Sequence, residues 1–320
     1  MEVLGVDLGG TKLAAAVFSD SGEMLSSESV PLGSRSGKEA GRFVTGRIRA
    51  NLEKARSQGL YIGSIGVSVP GISMVRTGTV WAPNIEGWSN YPLFREIKEA
   101  TGDIPVLIDS DRACSILGEV WMGNAKGCRD AVFLAVGTGI GAGILSNGEV
   151  LRGSGDIAGA IGWMALDRPF QAKYKNYGCF EYNASGDGMA RVARELLEKE
   201  KDYSGMLRQI APETITARHI FAALDAGDKL AEEVTGQCIA FWGMAVANIV
   251  SLLNPEKVLM GGGVFGPAVR FIPEIIKESE LWAQPVSIRK VRIEASGLGG
   301  EAAVYGAGYL ALKNPNVLNH

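Results

Sequence analysis

Val6-Asp7-Leu8-Gly9-Gly10-Thr11-Lys12 closes one apolar run and opens another. Val3-Leu4-Gly5-Val6 leads into the turn and residues 13–18 leave it, so the chain reads strand, glycine turn, strand. Glycines in such a turn let backbone N–H groups approach a ligand closely. The Thr11 hydroxyl and the Lys12 charge suit phosphate oxygens; a plain tight hairpin is the competing reading. The order Gly10-Thr11-Lys12, with a strand following rather than a helix, excludes a Walker A loop.

The pattern restarts at Ala131. Residues 131–136 are apolar, Gly137-Thr138-Gly139-Ile140-Gly141 forms a glycine turn, residues 142–145 are apolar again, and Ser146-Asn147-Gly148-Glu149 reads as a hairpin. Neither the spacing nor the following strand fits a dinucleotide fingerprint, which opens a helix. Two matched hairpins carry more weight than one. They imply two related halves, with a cleft in which both turns clamp one phosphate chain. Gly261-Gly262-Gly263 and residues 297–300 add turns suited to the nucleoside end.

Outward from these hairpins, helices are expected over 38–57, 111–120, 187–200, 216–226, 230–253 and 302–312. Further strands are expected over 23–30, 62–69, 104–108, 256–260 and 288–293. Strands followed by helices, twice over, give an α/β architecture. A length of 320 residues fits roughly two domains at about 150 residues each. No Pro/Ser tether is present, so the boundary is a hinge. The expected division is 1–118 plus the C-terminal helix over 302–315, against 119–301.

Composition narrows the function. Hydrophobic residues make up 46% and charged residues 21%, as in ordinary globular chains. The formal net charge of −3 argues against a nucleic-acid face, which would be basic. Cys114, Cys128, Cys179 and Cys238 contain no CxxC pair, and His219 and His320 are the only histidines. No zinc spacing can be built from them, and reduced thiols suit the cytoplasm. Met1-Glu2-Val3 begins no basic-then-apolar leader. The run over 238–253 is shorter than the roughly 20 residues a bilayer demands, and reads as a buried helix.

In this order, the motifs resemble the superfamily of actin, hexokinase and the chaperone ATPases, and more narrowly the ROK family of bacterial sugar kinases and repressors. The resemblance implies two actin-like (ribonuclease-H-like) domains around an ATP/sugar cleft. Asp7, Gly9, Gly10, Thr11 and Lys12 match the first phosphate motif, with Asp7 orienting Mg²⁺ carried by ATP. Gly137, Thr138, Gly139 and Gly141 match the second phosphate loop. Gly262 and Gly263, after Asn254-Pro255-Glu256, match the stretch leading to the nucleoside. Val69-Pro70-Gly71 and Ala82-Pro83-Asn84 with Gly87-Trp88 look like the sugar-side loops. Asp109-Ser110-Asp111-Arg112-Ala113, followed by Gly118-Glu119, resembles the catalytic segment. Asp111 is its general base, and Pro70, Gly71, Asn84, Ser110, Asp111 and Glu181 are its sugar contacts.

Two departures stand out. Where the family has Glu-x-Gly-His, this chain has Ala160-Ile161-Gly162-Trp163. Where the family has a cysteine-rich zinc loop, only Gly178-Cys179-Phe180-Glu181 remains. No zinc site is therefore expected, and the acceptor sugar is open. The resemblance implies an ATP-dependent hexose kinase, most simply forming the 6-phosphate of glucose or a relative. It also implies a cytoplasmic homodimer with ATP, Mg²⁺ and a small sugar as partners, and with neither nucleic acid nor membrane. An amino-sugar or glycoside kinase and a non-catalytic sugar sensor are the alternatives. Family repressors carry a DNA-binding segment ahead of this core, and here the first strand begins at once.

Overall fold

A computed structural model of the chain describes residues 1–313. Residues 314 and 315 of the expected C-terminal helix, and His320, lie outside the described residues. The chain divides into two compact units. The first comprises Met1–Cys128, Gly143–Ala158 and the described residues from Ser296 onward; the second comprises Arg129–Ala142 and Gly159–Ala295.

The first unit opens with β1 (Glu2–Leu8), β2 (Lys12–Phe18), β3 (Met24–Pro31) and α1 (Gly37–Ser57). It continues through β4 (Ile62–Val69), β5 (Ile72–Met74), β6 (Thr79–Trp81), α2 (Leu93–Thr101), β7 (Val106–Ser110) and α3 (Asp111–Met122). Its main sheet has the order β3-β2-β1-β4-β7. β1 runs antiparallel to β2 and parallel to β4, and β4 runs parallel to β7. One face packs on α1, whose Ala40, Val44, Ile48 and Ala55 recur at helical spacing and are buried. Each Leu, Ile or Val buried there contributes about 1.5–3 kcal/mol.

The other face is covered by the C-terminal helix α9 (Ala302–Leu312) and by α3. Close approach is possible because glycines stand at the contacts. A Cβ on Gly5 would lie 2.6 Å from the Val304 carbonyl oxygen, and one on Gly306 would overlap the Cys114 carbonyl. Gly306→Ala therefore forces α9 and α3 apart. Overpacking of this kind costs about 1–3 kcal/mol, so the thermal midpoint is expected to fall by several degrees; an unchanged melting curve would refute this packing.

β8 (Ala131–Val136) and β9 (Ile140–Ser146) form the second hairpin, and β10 (Glu149–Val150) folds back on β9. This sheet has the order β10-β9-β8-β11-β12, with β11 (Lys257–Gly261) parallel to β8 and to β12 (Arg292–Ala295). Hairpin on one side and parallel strands on the other repeat the plan of the first sheet. Four helices, α4 (Cys179–Ala184), α5 (Gly186–Lys199), α6 (Ala217–Asp225) and α7 (Lys229–Leu253), then precede β11, and α8 (Ile272–Trp282) follows it. Asp228 caps α7 by accepting the N–H groups of Leu230 and Ala231, and Asn254 ends it in the left-handed region at φ 47°. With 25 residues, α7 is long and apolar enough to cross a bilayer, contrary to the sequence estimate. Half of its most apolar window is buried, with Phe241, Trp242 and Ile249 in the core.

Two strands begin later than expected. Pro105 has no N–H to give, so β7 starts at Val106 rather than 104. Residues 288–290 are turns, Val291 N–H bonds to the Ser287 carbonyl, and pairing begins only at Arg292. The short β5–β6 hairpin, α2, α4 and α8 carry too little patterning to have been expected.

Candidate active site

The candidate residues of the first unit gather at the carboxyl ends of three parallel strands, where open α/β sheets bind ligands. Asp7 stands opposite Ser68 in the register of β1 and β4, and Ser68 stands opposite Asp109 in the register of β4 and β7. The Ser68 hydroxyl donates to Asp7 Oδ1 at 2.6 Å. Burial pushes the Asp7 pKa up, against the pull of this bond and of Lys12. Gly9, Gly10, Thr11 and Lys12 form the tight β1–β2 turn, closed by Gly9 N–H to the Lys12 carbonyl at 2.8 Å. The side chains of Thr11 and Lys12 are exposed at its tip.

Asn84 lies directly beside this turn: a Cβ on Gly10 would sit 3.3 Å from Asn84 Cβ. Its loop is pinned by buried Trp88, which stacks on Tyr91 at 4.4 Å and donates to the Gly37 carbonyl at 3.0 Å. Pro70 is buried, and glycine is needed at position 71, where φ is 95° and a side chain would strike the Trp81 carbonyl. Arg112 donates to the Gly71 carbonyl at 3.3 Å, which ties this loop to the start of α3.

Asp could have been the N-cap of α3, but Ser110 takes that role, accepting Ala113 N–H at 3.3 Å. Asp111 is left in the first turn with one bond, from Arg112 N–H at 2.8 Å to Oδ1. Burial lifts its pKa from 3.8 to about 6; Arg112 opposes the rise and Asp7 reinforces it. Asp111 is thus a carboxylate poised near neutrality, with Oδ2 free among the described residues.

In the second unit, Gly137, Thr138, Gly139 and Gly141 form the β8–β9 turn. The start of α5 supports it, through Gly186 N–H to the Gly137 carbonyl at 2.7 Å. Glu181, at the start of α4, accepts Ile140 N–H at 2.7 Å, and burial raises its pKa. A Cβ on Gly139 would stand 2.7 Å from Glu181 Oε2, so a side chain there would push the Glu181 carboxylate aside. Gly262, at φ 87°, and Gly263 follow β11, and a side chain on Gly262 would overlap Val136 at the end of β8. The two glycine turns therefore adjoin at the ends of parallel strands.

The 160–163 turn packs straight onto Gly178 and Glu181, and Trp163 is left 57% exposed. Behind it, Tyr174 is buried against Tyr182, Arg191 lies 4.2 Å over Tyr177, and Lys173 pairs with Glu195 at 2.8 Å. Aromatic and cationic side chains brace this loop. Phe170 and Tyr177 stay exposed. Among the described residues, no cluster of three or more His, Cys, Asp or Glu side chains is arranged to hold a metal ion.

Sequence reasoning missed Ser68, Arg152 and the role of Glu119. Ser68 was visible as a polar residue in an apolar strand. Arg152 follows a hairpin with no local pattern, yet it pairs with buried Asp109, two residues before Asp111. Glu119 stood in the recognised segment without an assigned partner.

The paired hairpins and mixed sheets are those of the actin-like (ribonuclease-H-like) class. Within that class the chain belongs to the ROK family, whose pattern matches residues 3–314. It is 32% identical to a glucokinase of Halalkalibacterium halodurans over 98% of this chain and 96% of that one. The ROK hexokinase of Thermus thermophilus superposes with a TM-score of 0.80 at 30% identity, covering 97% of this chain and 98% of that one. A ROK family glucokinase of Streptomyces griseus, solved with glucose and AMPPNP, gives 0.78 at 27% identity, covering 98% and 100%.

Proposed function

We propose that the protein is an ATP-dependent hexose kinase that phosphorylates a sugar hydroxyl, most simply the 6-hydroxyl of glucose or a close relative. The observation that carries this reading is Asp111, a carboxylate with one oxygen unbonded and a pKa near 6, on the first turn of a helix at a strand-end site. Phosphoryl transfer asks for positioning and charge neutralisation more than covalent chemistry. Asp111 accepts the hydroxyl proton as the sugar oxygen bonds to the γ-phosphorus and the bond to ADP breaks. Pro70, Gly71, Asn84, Ser110 and Glu181 orient the sugar. Thr11, Lys12, Thr138 and the N–H groups of Gly9, Gly10, Gly137, Gly139 and Gly141 take phosphate oxygens, and Gly262 and Gly263 let the nucleoside approach the backbone.

Asp7 suits a magnesium ion brought in with ATP. One of its oxygens is held by Ser68 and the other is unbonded. The ion would neutralise phosphate charge there, directly or through water. The assignments of cytoplasmic location, a homodimeric state and no nucleic-acid or membrane partner rest on the family resemblance and composition.

ADP release from Mg-ATP, measured against hexoses, amino sugars and glycosides, tests the reading. Turnover on glucose or a neighbouring hexose is expected. ATP binding without turnover on any acceptor would replace it with a non-catalytic sugar sensor. Exposed Trp163 and the absent acid at Ala160 favour a second reading, in which the acceptor is an amino sugar or a glycoside. Gly139→Ala displaces Glu181 from Ile140 N–H. A lost charge-assisted bond costs about 1.5–3 kcal/mol, so catalytic efficiency is expected to fall by about 10–100-fold; unchanged kinetics would remove this loop from the site.

A further inference from the structure

We propose that Arg152 is a positioning residue for phosphoryl transfer, fixing the turn between β7 and α3 that carries Ser110 and Asp111. Its place in the chemistry rests on the kinase reading; its hold on the turn does not.

Asp109, Ser110 and Asp111 follow one another across the end of β7 and the start of α3. Asp109 is only 4% exposed, so its charge has to be met by protein groups. Its Oδ1 accepts the Ser110 N–H at 2.8 Å, and its Oδ2 accepts from Arg152 Nη2. Ser68 stands beside Asp109 in the sheet but gives its proton to Asp7. Ser110 in turn caps α3 through the Ala113 N–H. Bonds thus run from Arg152 through Asp109 and Ser110 to the first turn of α3, which holds Asp111.

Arg152 is itself anchored. Leu151 N–H bonds to the Ile144 carbonyl at 2.9 Å, and the Arg152 carbonyl accepts Ala158 N–H at 3.0 Å. Asp156, in the same loop, accepts Val75 N–H at 3.2 Å. Gly143–Ala158 and β7 belong to one compact unit. As a stabilising device the pair is poor. Buried ion pairs gain little over apolar packing, and this one leaves Arg152 Nε–H buried without an acceptor. Its placement fits positioning instead. Stripped of its cation, the buried Asp109 carboxylate turns to another donor, and the Ser110 N–H moves with it. A shift of about 1 Å in a reacting group can cost about 100-fold.

Amide hydrogen exchange of the full chain, read by NMR without ATP or sugar, is the first test. In Arg152→Met the Ser110 and Ala113 amides are expected to exchange at least ten-fold faster, with those of α1 unchanged. Unchanged exchange at the turn overturns the positioning, and so does faster exchange throughout the unit, which reports a general loss of stability. Asp109→Asn breaks the ion pair without stranding a buried charge; the same local change is expected of it, and it serves if Arg152→Met does not fold. Steady-state kinetics are the second test. In Arg152→Met, kcat is expected to fall about 10–100-fold and the sugar KM to rise at least three-fold, with the KM for ATP unmoved. Arg152→Lys, which keeps the charge, is expected to stay within about three-fold of the parent. A smaller folded fraction lowers kcat and moves neither KM, so that pattern, or unchanged kinetics, overturns the role in the chemistry. A parent idle on every acceptor overturns the kinase reading, and the exchange rates then decide the positioning of the turn by themselves.

Discussion

Asp111→Asn is expected to lower turnover by about 10²–10⁴-fold, the usual contribution of a general base, with sugar affinity nearly unchanged. The asparagine keeps the shape and can still accept the Arg112 N–H. What it loses is the capacity to take a proton. With the Asp111 pKa lifted to about 6, a general-base role for it predicts turnover of the parent rising as pH climbs through 6. The stability consequence has the opposite sign. A carboxylate whose folded pKa lies above its ordinary 3.8 binds protons more readily in the folded state, so stability drops as pH climbs from about 4 to about 6 and stays reduced above it. Asparagine carries no such penalty. Melting curves at pH 4 and pH 8 are expected to show the variant gaining on the parent at the higher pH. Near-normal turnover would remove Asp111 from the chemistry, and an equal gain at both pH values would remove the buried charge from the argument.

Glu119→Gln is expected to destabilise the first unit by about 3 kcal/mol. Glu119 is fully buried, and its two oxygens serve four donors. Oε2 accepts Asn124 N–H at 2.8 Å and Gly297 N–H at 3.2 Å; Oε1 accepts Leu298 N–H at 3.1 Å and the Ser296 hydroxyl. The carboxylate thereby joins the end of α3 to the turn that launches α9. Glutamine replaces one oxygen with an NH₂ group, which meets donors in either orientation. Bonds to charged groups contribute about 1.5–3 kcal/mol each, so losing two outweighs any gain from removing a buried charge. A fall in the thermal midpoint of roughly 5–10 °C follows. A shift below the reproducibility of the melt would mean that water, rather than this carboxylate, satisfies the four donors.

Much of this architecture was legible because two signals coincided. Apolar runs separated by glycine turns placed β1–β2 and β8–β9, and helical spacing placed α1, α7 and α9, within a residue or two. The two glycine turns and Asp111 were singled out from the order of motifs. Long-range partners were not. Ser68 meets Asp7 only once β4 lies beside β1, and Arg152 meets Asp109 across 43 residues of sequence. Short elements such as β5, β6 and α2 were hidden because tertiary pairing, rather than local pattern, holds them. The braced loop over 166–177 was only partly readable: its basic and aromatic residues were evident, but not that Tyr174 would be buried while Phe170 stayed in water.

The glycine-lined seat of α9 has a consequence for the order in which the molecule is made. β1, β2 and β4, which end by Val69, are synthesised well ahead of the helix that covers one of their faces, which begins at Ala302. Until then Val3, Ala16 and Phe18, which end up in a cluster with Val304 and Ala311, have only partial cover, from Met24 and Trp121. The nascent first unit therefore carries a partly uncovered apolar face until α9 is made, the kind of surface on which chains stick to one another. Chains interrupted before residue 302 should be insoluble or chaperone-bound, and supplying residues 296–313 in trans should rescue them.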